Sequence, residues 1–271
     1  ASPCYEFAEW TGNGTPSIAD VNSADTTIMM DENHTIMATF VMMSATVTFQ
    51  ASEGGSVTVP GTGSFGPYDC GTEVAIQAAP DNCCYSFLNW TGSGMPFLTN
   101  PATQAGNSIV IPEQDVDLQA NFVLNRYNLT LADDGDHGTI TPYKGTQLQD
   151  CTAIVAIGAT PDSCAHVFDV WTGDTDHLSG TITQASNSVV MGSPACEAVS
   201  LTATWTLVEY NLTTEVQPPA AAADGSSVSG SGTYTCGTHA PVEAFDSNCW
   251  VFDSWSGDLT GSTNPDSVYV D

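Results

Sequence analysis

Apolar and polar residues alternate with a period of two along most of the chain, and no window shows a convincing 3.6-residue period. Val47, Phe49 and Ala51 alternate with Thr48 and Gln50; Tyr127, Leu129 and Leu131 open a similar stretch, as do Tyr210 and Leu212. Such alternation puts one face of an extended strand in a core and the other in water. Threonine is abundant and straight-chain helix formers are scarce, which also favours strands. The pattern predicts about six short strands per unit and at most a helical turn. A first hairpin joins 47–51 to 56–59 through Gly54-Gly55, with a counterpart from 127–131 to 139–141 through 135–138. A second pair is 73–78 with 85–90, and a third is 108–111 with 117–122.

These segments recur. Trp10-Thr11-Gly12, Trp90-Thr91-Gly92, Trp171-Thr172-Gly173 and Trp255-Ser256-Gly257 are spaced by 80–84 residues, with Phe7, Phe87, Phe168 and Phe252 each three residues before the Trp. Each unit then closes in an alternating stretch ending in an aromatic, at 35–40, 117–122 and 200–205. The period defines residues 1–43 as the C-terminal half of a first repeat, 44–124 and 125–208 as complete repeats, and 209–271 as a fourth lacking its last strand. The predicted fold is all-β: a tandem array of small β-grasp-like or β-sandwich-like modules. A Trp and a Phe at fixed strand positions read as repeated core anchors; a sugar-stacking platform is the other reading.

The units resemble the divergent InlB B-type bacterial repeat, also known as the Listeria–Bacteroides repeat. The resemblance rests on Tyr210-Asn211-Leu212-Thr213, Gly230-Ser231-Gly232-Thr233-Tyr234, Phe252-Asp253-Ser254-Trp255-Ser256-Gly257, Gly261-Ser262-Thr263-Asn264-Pro265 and Ala38-Thr39-Phe40. It covers essentially the whole chain and implies compact β modules strung along large secreted or surface proteins as stalks, spacers or adhesive segments. Regular cysteines and a near absence of lysine depart from the family pattern.

There are nine cysteines. Cys151 and Cys164, and Cys236 and Cys249, are 13 residues apart, and Cys70 stands at a similar distance from Cys83 and Cys84. The spacing predicts bridges inside each repeat, with Cys70, Cys84, Cys151, Cys164, Cys236 and Cys249 as the framework, each tying the starts of two strands. Cys83 and Cys196 have no counterparts in the other repeats, so a further bridge between them is expected, unless they are unpaired. Cys4 is expected to find its partner outside the chain. Cysteine content of this kind fits an oxidising, extracellular setting.

Composition narrows the function. Two basic residues, Arg126 and Lys144, stand against 31 acidic ones, for a net charge of −29. That balance excludes nucleic-acid binding, which needs cations to displace phosphate counterions. No apolar run is long enough to insert in a membrane. His34, His137, His166, His177 and His239 fall at unmatched positions, and no nucleophile elbow or phosphate loop occurs. No catalytic residue, resident metal or cofactor is expected. The oxygen-rich loops Asp133-Asp134-Gly135-Asp136 and Asp174-Thr175-Asp176 offer weak Ca²⁺ binding as an alternative to solvated turns. Asn13, Asn33, Asn89, Asn128 and Asn211 stand in sequons and are candidate N-glycosylation acceptors. The expected function is a structural segment of a long extracellular or cell-surface fibrous protein, a filament or stalk whose partners are copies of itself or neighbouring repeats. The alternative is an adhesin or carbohydrate-binding accessory module.

Overall fold

The computed structural model describes residues 3–247 and 249–271. The alternating segments are strands. The first repeat contributes β1 (Tyr5–Gly12) and β2 (Ile36–Met42), an antiparallel pair. The second holds β3 (Ser44–Ala51), β4 (Gly55–Val59), β5 (Gly63–Asp69), β6 (Glu73–Pro80), β7 (Tyr85–Thr91), β8 (Gly106–Val110) and β9 (Val116–Leu124). The third repeats this series as β10 (Arg126–Asp133), β11 (Gly138–Thr141), β12 (Gly145–Asp150), β13 (Ile154–Pro161), β14 (His166–Gly173), β15 (Ser186–Val190) and β16 (Val199–Leu207). The fourth has β17 (Glu209–Leu212), β18 (Ser227–Ser229), β19 (Gly232–Thr235), β20 (His239–Phe245) and β21 (Asp266–Tyr269), with one short helix, α1 (Pro219–Ala223). Contacts divide the chain into two units, 1–125 and 126–271.

Each complete repeat is two sheets around one core. In the second, a four-stranded sheet has the order β5-β3-β9-β7 and a three-stranded sheet the order β4-β6-β8. The third reproduces both, as β12-β10-β16-β14 and β11-β13-β15. Val47 and Phe49 of one sheet and Val57, Ile76, Ala78 and Ile109 of the other belong to a single buried cluster. Leu129, Leu131, Ile140, Ile157 and Val189 play the same parts in the third repeat. The period-two pattern is thus satisfied by packing inner face on inner face.

The strands expected from alternation are present, but their partners differ from the hairpin reading. β3 pairs with β5 and, in parallel, with β9; β4 pairs with β6; β8 pairs with β6 rather than β9; and β7 pairs with β9. The closing strand therefore inserts between the first strand and the Trp strand instead of forming a local hairpin. It buries alternate residues Val116, Leu118 and Ala120. The alternation pattern does not mark the strand at 63–69, which carries Gly63, Gly66 and Pro67; it lies at a sheet edge, where proline is tolerated.

Candidate interaction sites at the repeat junctions and in the fourth repeat

The Trp-Thr/Ser-Gly step is a docking point for the closing strand. Trp90 and Trp171 are fully buried, and their indole N–H groups donate to the carbonyls of Gln104 and Gln184, at 3.1 Å each. Each Trp faces an alanine of the closing strand, Trp90 across from Ala120 and Trp171 across from Ala203. The preceding Phe packs on the Trp, with centroids 5.7 Å apart in both repeats, and meets the closing-strand aromatic edge-on, Phe122 at 5.8 Å and Trp205 at 6.2 Å. The glycine that follows has positive φ, and a Cβ there would lie 2.4 Å from the Asp117 carbonyl oxygen at Gly92, or 2.3 Å from that of Ser200 at Gly173. No side chain fits. The first repeat repeats the arrangement with Phe7, Trp10, Ala38 and Phe40, although Trp10 is only partly buried.

Two disulfides join successive repeats. Cys4 bonds Cys70, and Cys164 bonds Cys236, across sequence separations of 66 and 72 residues. This corrects the short-loop pairing: Cys70 is not joined to Cys84, Cys151 is not joined to Cys164, Cys236 is not joined to Cys249, and Cys4 has its partner inside the chain. The cause is local. The Met43 N–H donates to the Cys4 carbonyl and the Met43 carbonyl accepts from Cys70 N–H, both at 2.9 Å. Val208 likewise donates to Ala165 at 2.8 Å and accepts from Cys236 at 3.1 Å. One linker residue thus holds the cysteine before the Trp strand beside the turn cysteine of the next repeat. Sequence reasoning missed this clamp because it runs through backbone groups. Cys83, Cys84, Cys151 and Cys196 are disulfide-bonded. The sulfurs of Cys151 and Cys196 are 3.2 Å apart, too far to be bonded to each other. Cys249 is a free, exposed thiol.

The fourth repeat has a cleft of about 650 Å³ lined by Leu212, Val216, Val242, Phe252, Trp255 and Leu259 among others. Phe252 and Trp255 keep the paired geometry of the other repeats, with centroids 4.9 Å apart, but Trp255 is only partly buried. Nothing lies within 4 Å of where a Gly257 Cβ would sit.

Charged and polar candidates make contacts within the repeats. Lys144 reaches into the acidic turn at 133–136, its ammonium 2.5 Å from Oδ1 of the buried Asp133 and also paired with Asp136. The chain's one lysine thus places a cation in that turn. The two carboxylates raise the Lys144 pKa, Asp133 contributing most, and the Lys144 hydrogen bond lowers that of Asp136. Asp174 accepts from Ser200 N–H at 2.8 Å, capping the closing strand. His137 and His166, unrelated in sequence, stack at 3.8 Å. They stand where Gly54 and Tyr85 meet in the second repeat. His177 is buried, with Nδ1 3.0 Å from the Val190 carbonyl. Of the sequon residues, Asn13, Asn33, Asn128 and Asn211 are exposed and Asn89 is partly buried. Asn13 accepts from Thr35 N–H at 2.6 Å, and Asn89 accepts from Asn121 at 3.0 Å. Among the described residues no helix is long and apolar enough to cross a membrane.

Four tandem stretches, residues 1–44, 45–126, 127–209 and 217–270, match the model of the divergent InlB B-repeat domain. Among solved structures, the Bacillus anthracis TIE protein is similar at 9% sequence identity with a TM-score of 0.36, over 90% of this chain and 53% of that one. The chain thus spans about half the length of that protein's chain. No curated protein matches the sequence.

Proposed function

This chain belongs to the divergent InlB B-repeat family, and on that premise we propose that it is a structural segment of an extracellular or cell-surface fibrous protein, assembling as a filament or stalk. The observation that carries the reading is the course of the disulfides. A bridge inside a module stabilises that module alone; bridges such as Cys4–Cys70 and Cys164–Cys236 fasten one repeat to the next. Repeats joined in this way resist separation, as a load-bearing stack requires. Disulfides persist in oxidising compartments, which supports an extracellular location. The role is structural rather than catalytic: the signature aromatics Trp90 and Trp171 are spent on cores, which also argues against a sugar platform at those positions. A net charge of −29 keeps such a surface hydrated and repels nonspecific anionic contacts.

Electron microscopy of the purified, oxidised chain tests the proposal, with light scattering across a concentration series. End-to-end particles that lengthen with concentration are expected. A monodisperse monomer at all concentrations would refute self-assembly.

A further inference from the structure

The third repeat departs from the second at two places that face each other. In the second repeat the helical turn Met95–Phe97 ends in Phe97, whose ring packs against the core. The matching turn of the third, Thr175–His177, ends in His177. The backbone sets the match. Phe97 N–H donates to the Gly94 carbonyl and His177 N–H to that of Asp174, and the residues that follow, Leu98 and Leu178, bridge to Ile109 and Val189. The second departure is the loop before the closing strand, which runs over residues 111–115 between β8 and β9 but over 191–198 between β15 and β16. The longer loop brings Oε1 of Glu197 to 3.7 Å from Nε2 of His177.

The hydrogen bonds define what this pair presents. His177 is 3% exposed. Its Nδ1 lies 3.0 Å from the Val190 carbonyl, which can only accept, so Nδ1 carries the hydrogen. In the neutral ring Nε2 then offers a lone pair. Among the described residues none hydrogen-bonds to Nε2, which is shut off from solvent. The group facing it is a carboxylate oxygen, also an acceptor, and 3.7 Å is too long for a hydrogen bond. A cation between the two resolves the conflict. Bonds of about 2.1 Å from the nitrogen and the oxygen to one Zn²⁺ span that 3.7 Å when the angle at the metal is about 120°. A ring whose other N–H is held by a backbone carbonyl is also how metal-binding imidazoles are oriented. The Glu197 side chain is 63% exposed, so an ion has a way in from solvent.

We propose that the third repeat binds one divalent transition-metal ion of the Zn²⁺ class between His177 Nε2 and the Glu197 carboxylate, with water completing the coordination shell. An imidazole beside a carboxylate favours Zn²⁺ and its transition-metal neighbours over Mg²⁺ and Ca²⁺. The ion ties loop 191–198 to the turn at 175–177 and so fastens the approach to β16. This goes beyond the structural-segment reading and does not depend on it.

The test titrates ZnCl₂ into the full 271-residue oxidised chain after chelator treatment, followed by calorimetry and by NMR of the imidazole C–H groups. The His177 resonances should move and saturate at one ion per site, and equal MgCl₂ should leave them in place. Two variants isolate the site from the many surface carboxylates. His177→Phe installs the side chain that the second repeat carries at this position, and Glu197→Gln changes a largely exposed group. Each should weaken the saturable Zn²⁺ binding at least tenfold, and Zn²⁺ should raise the Tm of the parent more than that of either variant. His177 resonances that stay fixed, shifts confined to His137 and His166, an equal response to MgCl₂, or unchanged binding by both variants would each overturn the proposal.

Discussion

Replacing Cys164 and Cys236 together by serine removes a bridge between the third and fourth repeats, and its size and location follow from the structure. The bridge closes a loop across 72 residues. In the chain-entropy model a loop of that length stabilises by roughly 4.4 kcal/mol, against about 3 kcal/mol for the 13-residue loop that local pairing would form. In a cooperative unit of about 150 residues, 4.4 kcal/mol lowers Tm by on the order of 10 °C or slightly more. The loss should not be shared evenly. The third repeat keeps Trp171, Leu129, Leu131 and Leu201 in an intact core. The fourth has only a two-stranded and a three-stranded sheet, beside an open cleft. The double variant should therefore lose protection in β20 while β10, β14 and β16 remain slow to exchange. Hydrogen exchange with mass spectrometry reads this directly, and non-reducing peptide maps of the parent give the bonding independently. Unchanged protection in β20 with a stability loss under about 1 kcal/mol would refute the reasoning, as would a mapped bond between Cys151 and Cys164.

Other outcomes follow from particular contacts. Gly138→Ala drives a methyl to within 2.2 Å of the Trp205 ring, so the third repeat should lose about 1–3 kcal/mol in denaturant titration. Leu129→Ala, at a fully buried position, should cost about 2–5 kcal/mol, whereas Leu212→Ala at the equivalent but partly exposed position should cost under about 1 kcal/mol in the same assay. Lys144→Met removes the cation paired with Asp133 and Asp136 and should lower stability in the same assay. The Lys144 pair also gives a pH signature, because Asp136 is held below its ordinary value of 3.8. Its stabilisation is fully present above that value and lost as pH falls through the depressed one, so acid melting curves of parent and Lys144→Met should converge at low pH.

The strands were legible because burial of alternate residues writes itself into the chain: Ala45, Val47 and Phe49 are core, and the residues between them are not. The Trp and Phe anchors were legible for the same reason, recurring wherever a closing strand must be met. Strand partners were not. Parallel pairing of β3 with β9 spans some seventy residues, and nothing in the alternation of either strand names the other. The edge strand β5 was hidden by Gly63, Gly66 and Pro67, whose composition is that of a turn. The disulfides misled because the spacing of 13 residues is regular, yet it reflects two separate clamps, each made by a linker residue's backbone. Lys144 was visible as a rarity, but its partner Asp133 reads as one solvated carboxylate among four oxygen-rich turn residues.

The displaced bridges also govern how far the chain can be drawn out when pulled. Every residue between Cys164 and Cys236 lies on a bypassed arc, so tension travels through the sulfurs and leaves that arc slack. At about 3.4 Å per residue the arc holds back roughly 240 Å of contour length, and the arc between Cys4 and Cys70 holds back roughly 220 Å more. Unravelling strands inside those arcs releases none of this length while the sulfurs stay joined. Under oxidising conditions these two arcs therefore add nothing to the extension of the chain, and reduction releases their length.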